Sequence, residues 1–400
     1  MIRMASVEQA LALIAEHGAR RVTGLEAVPL AAALGRRLAE PVLARVSQPP
    51  AAVSAMDGYA VRFADMKLSA SLRVVGESRA GGPLSGSVSA GEAVRIFTGA
   101  HIPAGADHVL IQEDTRREGD AVTITFEQPH AANIRRAGRD FSAGDTLVPA
   151  GQMVSEGAIS LAAAGNNARL IVAKAPRIGV LANGDELVAA GDDLARGQIV
   201  NSIQPALLAL IRRWGAVALD LGLSRDTEED VRGRINAPCD VIVSIGGASV
   251  GDYDIVRSAF AAEGFAPVFE KVAVKPGKPT WFSSGKSTLA LGLPGNPAAA
   301  MVTAQLFLRP LIDALTGGAP GVAPTARAAT ATPLPATGNR EEYLRAVLSI
   351  GTDGAAAIRA AEDQDSSLLS PFLSANALIR RPANAPGVTA GALVEFTPLR

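Results

Sequence analysis

From about residue 176 the chain alternates short apolar runs with amphipathic stretches. RIGVLAN, AVALDLGL, DVIVSIGG, APVFEKVAV and STLALGLP read as strands, while IVNSIQPALLALIRRWG, TEEDVRGRI, YDIVRSAFAAEG and NPAAAMVTAQLFLRPLIDAL carry helical spacing. Strands alternating with helices predict βαβ units around a parallel sheet, so the central fold class is α/β. In such sheets a ligand sits beyond the carboxyl ends of the strands, which directs the search for chemistry to the loops there.

The flanking texture differs. VEQALALIAEH (7–17) has helical spacing, and a second helical stretch is expected near 30–38. VSQPPAAVSA (46–55) is a Pro- and Ser-rich crossing between units. Between 70 and 130 the runs LRVVGES, AVRIFTGA, HVLIQED and AVTITFE, separated by Gly and Pro clusters, predict a small β unit. SAMDGYAV (54–61) and RIFTGAHIPAGADHVLIQED (95–114) depart from ordinary strand patterns. Residues 144–173 return to mixed helix and turn. After the linker GGAPGVAP, residues 325–400 consist of short β-like pieces and predict a small all-β domain.

Composition narrows the function. The chain has 400 residues, of which 48% are apolar, and 38 Lys+Arg against 39 Asp+Glu leave a formal charge of -1. That profile is not that of a disordered chain, and the near-neutral total argues against salt-driven wrapping of nucleic acid. The lone cysteine, Cys239, excludes a disulfide framework and a Cys-based zinc site and fits a reduced, cytoplasmic setting. Glu8 and Glu16 interrupt the N-terminal apolar stretch as a signal-peptide core. The uncharged run 287–308 is long enough to span a bilayer, but Pro294, Asn296 and Pro297 break it into strand, turn and helix, so it reads as core and no membrane is expected.

The chemistry concentrates at predicted strand ends. In SIGGASVGDYD a buried strand runs into Gly246, Gly247 and Gly251, with Ser249 between them and a helix following. Glycines let backbone N–H groups converge on an anion. Asp252 and Asp254 at the same turn would repel a phosphate unless a divalent cation lay between, so the pattern suits phosphate with Mg²⁺ as well as it suits a capped tight turn. Gly247-Ala-Ser249-Val-Gly251 also matches a nucleophile elbow, but all four histidines precede Ser249, which excludes α/β-hydrolase order. Gly285-Lys286-Ser287 lacks the earlier glycine of a P-loop, since Thr280 stands there. EKVAVKPGKP places Lys271, Lys275 and Lys278 near the expected carboxyl edge, either as an anion-binding cluster or as a solvated rim. Pro294, Gly295, Asn296 and Pro297 form a restricted turn in which Asn296 is expected to cap the next helix, and ANGDELV brings Asp185 and Glu186 to the same rim.

The set SAMDGYAV, FTGAHIPAGADHVLIQE, NGDELV, GGASVGDYD, VAVKPGKP and GLPGNP, in this order, resembles the molybdopterin molybdenumtransferase family, the molybdenum insertases related to the catalytic domain of gephyrin. The resemblance covers almost the whole chain. It implies a discontinuous N-terminal domain (1–47 with 136–175), a β-rich insertion domain (48–135), an α/β molybdopterin-binding domain (176–324) and a C-terminal β-barrel domain (325–400). It implies a cytoplasmic homodimer that takes adenylated molybdopterin and molybdate, inserts the metal and releases AMP, with Mg²⁺ as cation and contacts to other molybdenum-cofactor proteins. The active cleft would combine the α/β domain with the SAMDGYA domain of the other subunit.

Carried over by motif, the catalytic set is Asp57, Thr98, Glu186, Asp254, Lys271, Lys275 and Lys278, with Asp57, Glu186 and Asp254 holding the metal. Gly246, Gly247, Ser249, Gly251, Asp226, the turn 294–297, Arg135, Asp140, Ser366 and Ser370 would bind substrate. Arg139, Asn201 and Asn183 depart from the family pattern, at positions that bear on pterin contacts. Two other readings remain: a gephyrin-like binding scaffold without catalysis, and a nucleotide pyrophosphatase or deamidase using the α/β domain alone.

Overall fold

The computed structural model describes residues 1–246, 255–318, 325–352 and 354–399. The chain divides into two compact units, one of Met1–Glu26, Gly35–Ala39 and Val172–Arg400, the other of Ala27–Leu34 and Glu40–Ile171.

The larger unit is built on a six-stranded sheet in the order Val217–Ser224, Arg177–Asn183, Val241–Ile245, Leu289–Leu293, Trp281–Ser284, Ala266–Phe269. The first four strands are parallel. Trp281–Ser284, a strand the apolar pattern does not announce, runs against both its neighbours. Alternation decides which residue packs where. Ile178, Val180, Val241, Val243, Leu289 and Leu291 face one apolar cluster with the helices Val7–Ala19, Ile203–Arg213 and Pro297–Thr303. Leu181, Ile242 and Ala290 face the other, with Val231, Val256 and Phe260 from the helices on that side. Both faces are covered, which is why these strands read as continuous apolar runs.

Helix Val7–Ala19 starts at Ser6, whose Oγ accepts from the Gln9 amide at 3.1 Å while Gln9 Oε1 accepts from the Ser6 amide at 3.0 Å. Its buried face is Val7, Ala10, Ile14 and Gly18, and Gly18 packs so closely on Ala314 and Leu311 that a Cβ there would lie 2.6 Å from Ala314. Upstream of it, Ile2 bridges to Phe269 and Ala5 to Val272 along the sheet's outer edge. The long helix Pro297–Leu315 is mostly buried inside the fold, in line with reading 287–308 as core. It widens to a π turn over Ala304–Leu308, just before Pro310, which has no N–H to donate.

APVFEKVAV is not one strand. It breaks after Phe269, and Val274–Lys275 instead pairs in parallel with Glu341–Glu342. Those residues open the long strand Glu341–Ile350 of a closed five-stranded barrel, completed by Ala356–Ala360, Ala326–Thr330, Leu393–Pro398 and Ala377–Arg381, which pairs back to Glu341–Ile350. Closure leaves the barrel without edges.

The smaller unit carries a six-stranded sheet in the order His108–Ile111, Gly58–Val61, Glu92–Ile96, Ser71–Ser78, Ala121–Ile124, Thr115–Glu118. Gly58–Val61, within SAMDGYAV, is an inner strand after all. It is buried throughout, and Gly58 is obligatory because a Cβ there would lie 1.9 Å from the Leu110 carbonyl oxygen. The helix expected near 30–38 shrinks to a 3₁₀ turn, Leu30–Ala32, since Gly35 takes φ +69° and redirects the chain.

Candidate active site

A cavity of about 810 Å³ opens at the carboxyl ends of Arg177–Asn183, Val241–Ile245 and Leu289–Leu293. The place follows from topology. The connection leaving Arg177–Asn183 runs to the strand on one side, Val217–Ser224, whereas the chain leaving Val241–Ile245 runs toward the opposite edge, Ala266–Phe269. Neighbouring strands whose crossovers diverge leave a crevice between them, the topological switch point.

Glycine backbone forms the floor. A Cβ on Gly246, which has φ +84°, would lie 2.8 Å from the Asn183 carbonyl oxygen, and one on Gly295 would lie 3.4 Å from the Gly246 Cα. A Cβ on Gly184 would lie 2.6 Å from Glu186 Oε2, so the glycine also lets that carboxylate fold back over the turn. Asn183 ties three strand ends together: its Nδ2 donates to Ser244 Oγ (2.7 Å) and the Ile245 carbonyl (3.1 Å), and its Oδ1 accepts from Ser224 Oγ (2.6 Å). Asn183, a departure by the resemblance drawn from sequence, therefore has a structural use. Asn201, another, is buried on the lining and bonds Gln204 through both its side chain ends. Asn296 does not cap the following helix; its Nδ2 donates to Ser366 Oγ at 2.8 Å.

Glu186 and Asp226 are the charged groups of the described lining, and it holds no lysine or arginine. The Asp226 amide donates to Asp185 Oδ1 at 3.1 Å. Desolvation in the cavity raises the Asp226 pKa, and the charges of Asp185 and Glu186 push it the same way. Carboxyls held together against their repulsion mark functional sites. Of the expected substrate residues, Asp226, Gly246, Pro294, Gly295, Asn296 and Pro297 line the cavity, as does Glu186 of the catalytic set. Ser366 touches it through Asn296, while the neighbouring Ser367 lines it directly. Ser370 lies farther along, before the short helix Pro371–Ser374. Gly247, Ser249, Gly251, Asp252 and Asp254 lie outside the described residues, between Gly246 and Ile255, both of which line the cavity.

The lysines are not delivered to this lining as a group. Pro279 reaches it, but Lys271, Lys275 and Lys278 do not. The break after Phe269 is the cause. Lys275 leaves with the barrel and places its Nζ 3.1 Å from Glu342 Oε1.

In the smaller unit Asp57 and Thr98 meet. The Thr98 amide and hydroxyl both donate to Asp57 Oδ1, at 2.8 and 2.9 Å, and hold the carboxyl below its usual pKa. A ring of contacts supports them. Arg95 donates from Nη1 to the Gly58 carbonyl (3.0 Å) and from Nη2 to Gln112 Oε1 (2.8 Å), the Gln112 amide donates to the Asp57 carbonyl (3.1 Å), and the guanidinium lies over Tyr59 and Phe97. The sequence pattern gives no sign of Arg95 or Gln112, because the ring joins three separate strands. Arg135 lies beside the same segment, in a strand paired with Val53–Ser54, whereas Asp140 is an exposed loop residue whose amide reaches the Gln48 carbonyl.

Comparison with known proteins decides the lineage. Family models match in succession: MoeA N-terminal region (domain I and II) over 5–165, probable molybdopterin binding domain over 179–314, and MoeA C-terminal region (domain IV) over 327–399. A molybdopterin molybdenumtransferase of Haemophilus influenzae is 34% identical over 383 residues, 94% of each chain, and one of Nostoc sp. is 38% identical over 331 residues, 80% of this chain and 76% of that protein. The chain belongs to the molybdopterin molybdenumtransferase family. A solved molybdopterin biosynthesis MoeA protein from Pyrococcus horikosii covers all of both chains at TM-score 0.82 and 26% identity. The multidomain α/β expectation with a terminal barrel thus holds, and the chain is an enzyme of molybdenum-cofactor biosynthesis. Cys239, which precedes its strand, is buried, and that burial pushes its thiol pKa up.

Proposed function

We propose that this transferase takes adenylated molybdopterin and molybdate, inserts the metal at the dithiolene and releases AMP, in the cytoplasm and as a homodimer. The observation that carries the reading is the switch-point cavity, with its glycine floor, its carboxylates, and no lysine or arginine on its described lining. An anionic ligand entering there needs a positive charge brought with it.

Mg²⁺ answers that need. Among the described residues no three His, Cys, Asp or Glu side chains gather as a metal site, but Glu186 and Asp226 are hard oxygen donors whose repulsion a divalent cation relieves. With Asp57 and Asp254, Glu186 would hold it, and its chemistry there would be to neutralise phosphate charge and acidify a water. The protein's own groups do the rest. Gly184, Gly246 and Gly295 let backbone approach the phosphate. Asn296, held by Ser366, and the turn 294–297 orient the ligand over the N-terminal end of helix Pro297–Leu315, where the helix dipole favours negative charge. Lys271 and Lys278, beside Pro279, stabilise charge on molybdate and on the departing phosphate, and Lys275 joins them from the barrel side. Asp57, kept ionised and oriented by Thr98, is supplied by the other subunit. Arg135 and Asp140, on the Asp57 unit, and Ser370 contribute the outer substrate contacts.

AMP release from adenylated molybdopterin, followed by chromatography with and without molybdate and Mg²⁺, tests the proposal. Release is expected only with Mg²⁺ and to rise with molybdate. Tight binding with no release under any condition would make the chain a scaffold instead.

A further inference from the structure

A second cavity, of about 440 Å³, lies at the end of the barrel where Glu341–Ile350 begins and Ala377–Arg381 ends. None of its residues lines the switch-point cavity. The barrel interior below is packed by Leu344, Ala346, Leu348, Ile358, Ala377, Ile379 and Phe396. Along Ala377–Arg381 the inward positions are Ala377, Ile379 and, in phase with them, Arg381; along Glu341–Ile350 the same phase that carries Leu344 and Ala346 carries Glu342. The strand rule calls for apolar residues at both. Glu342 lies opposite Arg381 on one side and Lys275 on the other, so three charges stand in a row across the mouth.

The row is unbalanced. Glu342 is engaged by Lys275 at 3.1 Å. Arg381 is only 4% exposed, its Nη2 donates to the Pro386 carbonyl, and its Nη1 is buried with no hydrogen-bond partner. Among the described residues no carboxylate pairs with Arg381, or with Arg359 on the same lining. A buried guanidinium whose facing carboxylate is taken by another cation is costly, and a leucine would have satisfied the barrel pattern. Pro276, Pro333, Leu334, Pro335 and Leu344 give the rest of the lining an apolar side, with Thr332, Thr337, Gln364 and Glu362 among them. Counting Glu362, Lys275, Arg359 and Arg381 still outnumber the two carboxylates.

We propose that the barrel mouth binds a small organic anion, with one carboxylate or phosphate balancing Arg381 and an apolar body against the proline and leucine walls. Barrel mouths are a preferred place for such ligands, and the volume lies within the usual range of ~300–1,000 Å³. A bare inorganic oxyanion would leave most of that space and the apolar walls unused. Lys275 is the residue this mouth shares with the proposed reaction; Arg381, on which the anion rests, has no role in that reaction.

Benzoate, phenyl phosphate, the neutral benzyl alcohol and molybdate are titrated into the full-length protein by calorimetry, with Leu334 and Leu344 methyl resonances followed by NMR. Benzoate or phenyl phosphate should bind and move those methyls, whichever wins naming the acidic group, and benzyl alcohol should bind about tenfold more weakly or not at all. Arg381→Leu should weaken the anion about tenfold or more, whereas Arg381→Lys should hold it within about threefold. Equal binding of benzyl alcohol, unchanged affinity in Arg381→Leu, or methyls that stay put on binding would each overturn the proposal. So would a response to molybdate alone, which would make the mouth an oxyanion subsite of the reaction. Should Arg381→Leu fail to fold, the methyl shifts and the charged-against-neutral comparison in the wild type still decide.

Discussion

Asp226 shows how one side chain can be set against stability for the sake of a site. Its folded pKa is raised, first by desolvation and then by Asp185 and Glu186. The folded protein therefore binds more protons than the unfolded chain between the ordinary carboxyl range and the raised value. The stability tied to that proton is complete at low pH and is lost as pH rises through the window. Asp226→Asn should raise Tm by about 1–3 °C at neutral pH, a figure kept small because the group is well exposed and screened. The gain should vanish near pH 3, and AMP release should fall at least tenfold. A pH series of melting curves checks the sign. Asn183 and Asn201 argue the same point differently. From sequence they are departures from a family pattern, and only the fold shows them tying strand ends and opening a helix.

At the scale of elements, the parallel strands and their helices are legible because each is a buried run with turn residues at both ends. Trp281–Ser284 is not, since half of it is serine and its neighbours PGKPT and GKS read as turn. Its place is fixed instead by one contact: Trp281 pairs with Gly292, and a Cβ on Gly292 would lie 1.9 Å from the indole Nε1. Gly292→Ala should cost roughly 3 kcal/mol in urea unfolding by forcing the indole out of a packed face. Adding Trp281→Phe should return part of that loss, as expected for contacting residues. The lysine cluster failed to reach the cavity for a related reason. Nothing in EKVAVKPGKP announces that Val274–Lys275 will leave the sheet for the barrel, because a two-residue strand has no period to read.

At the scale of the whole molecule, the reading that joins Asp57 to Glu186 across subunits can be tested without either site being seen. Asp57→Asn and Glu186→Gln proteins should each be inactive. Unfolded together and refolded, they should recover about a quarter of wild-type AMP release, since half the dimers are mixed and each mixed dimer regains one intact site of two. No recovery would place both residues in one subunit's site.

The pairing of the first residues with the sheet's far edge has a further effect on how the chain is made. Ile2 and Ala5 meet Phe269 and Val272, and Gly18 meets Ala314, so these early-made residues wait for partners synthesised about 250 to 300 residues later. The module from Glu40 to Ile171 interrupts that wait and draws its contacts mainly from its own stretch of chain. It can finish folding cotranslationally, while the other unit, with its distant closures, acquires its core only once the helix ending at Leu315 has been made.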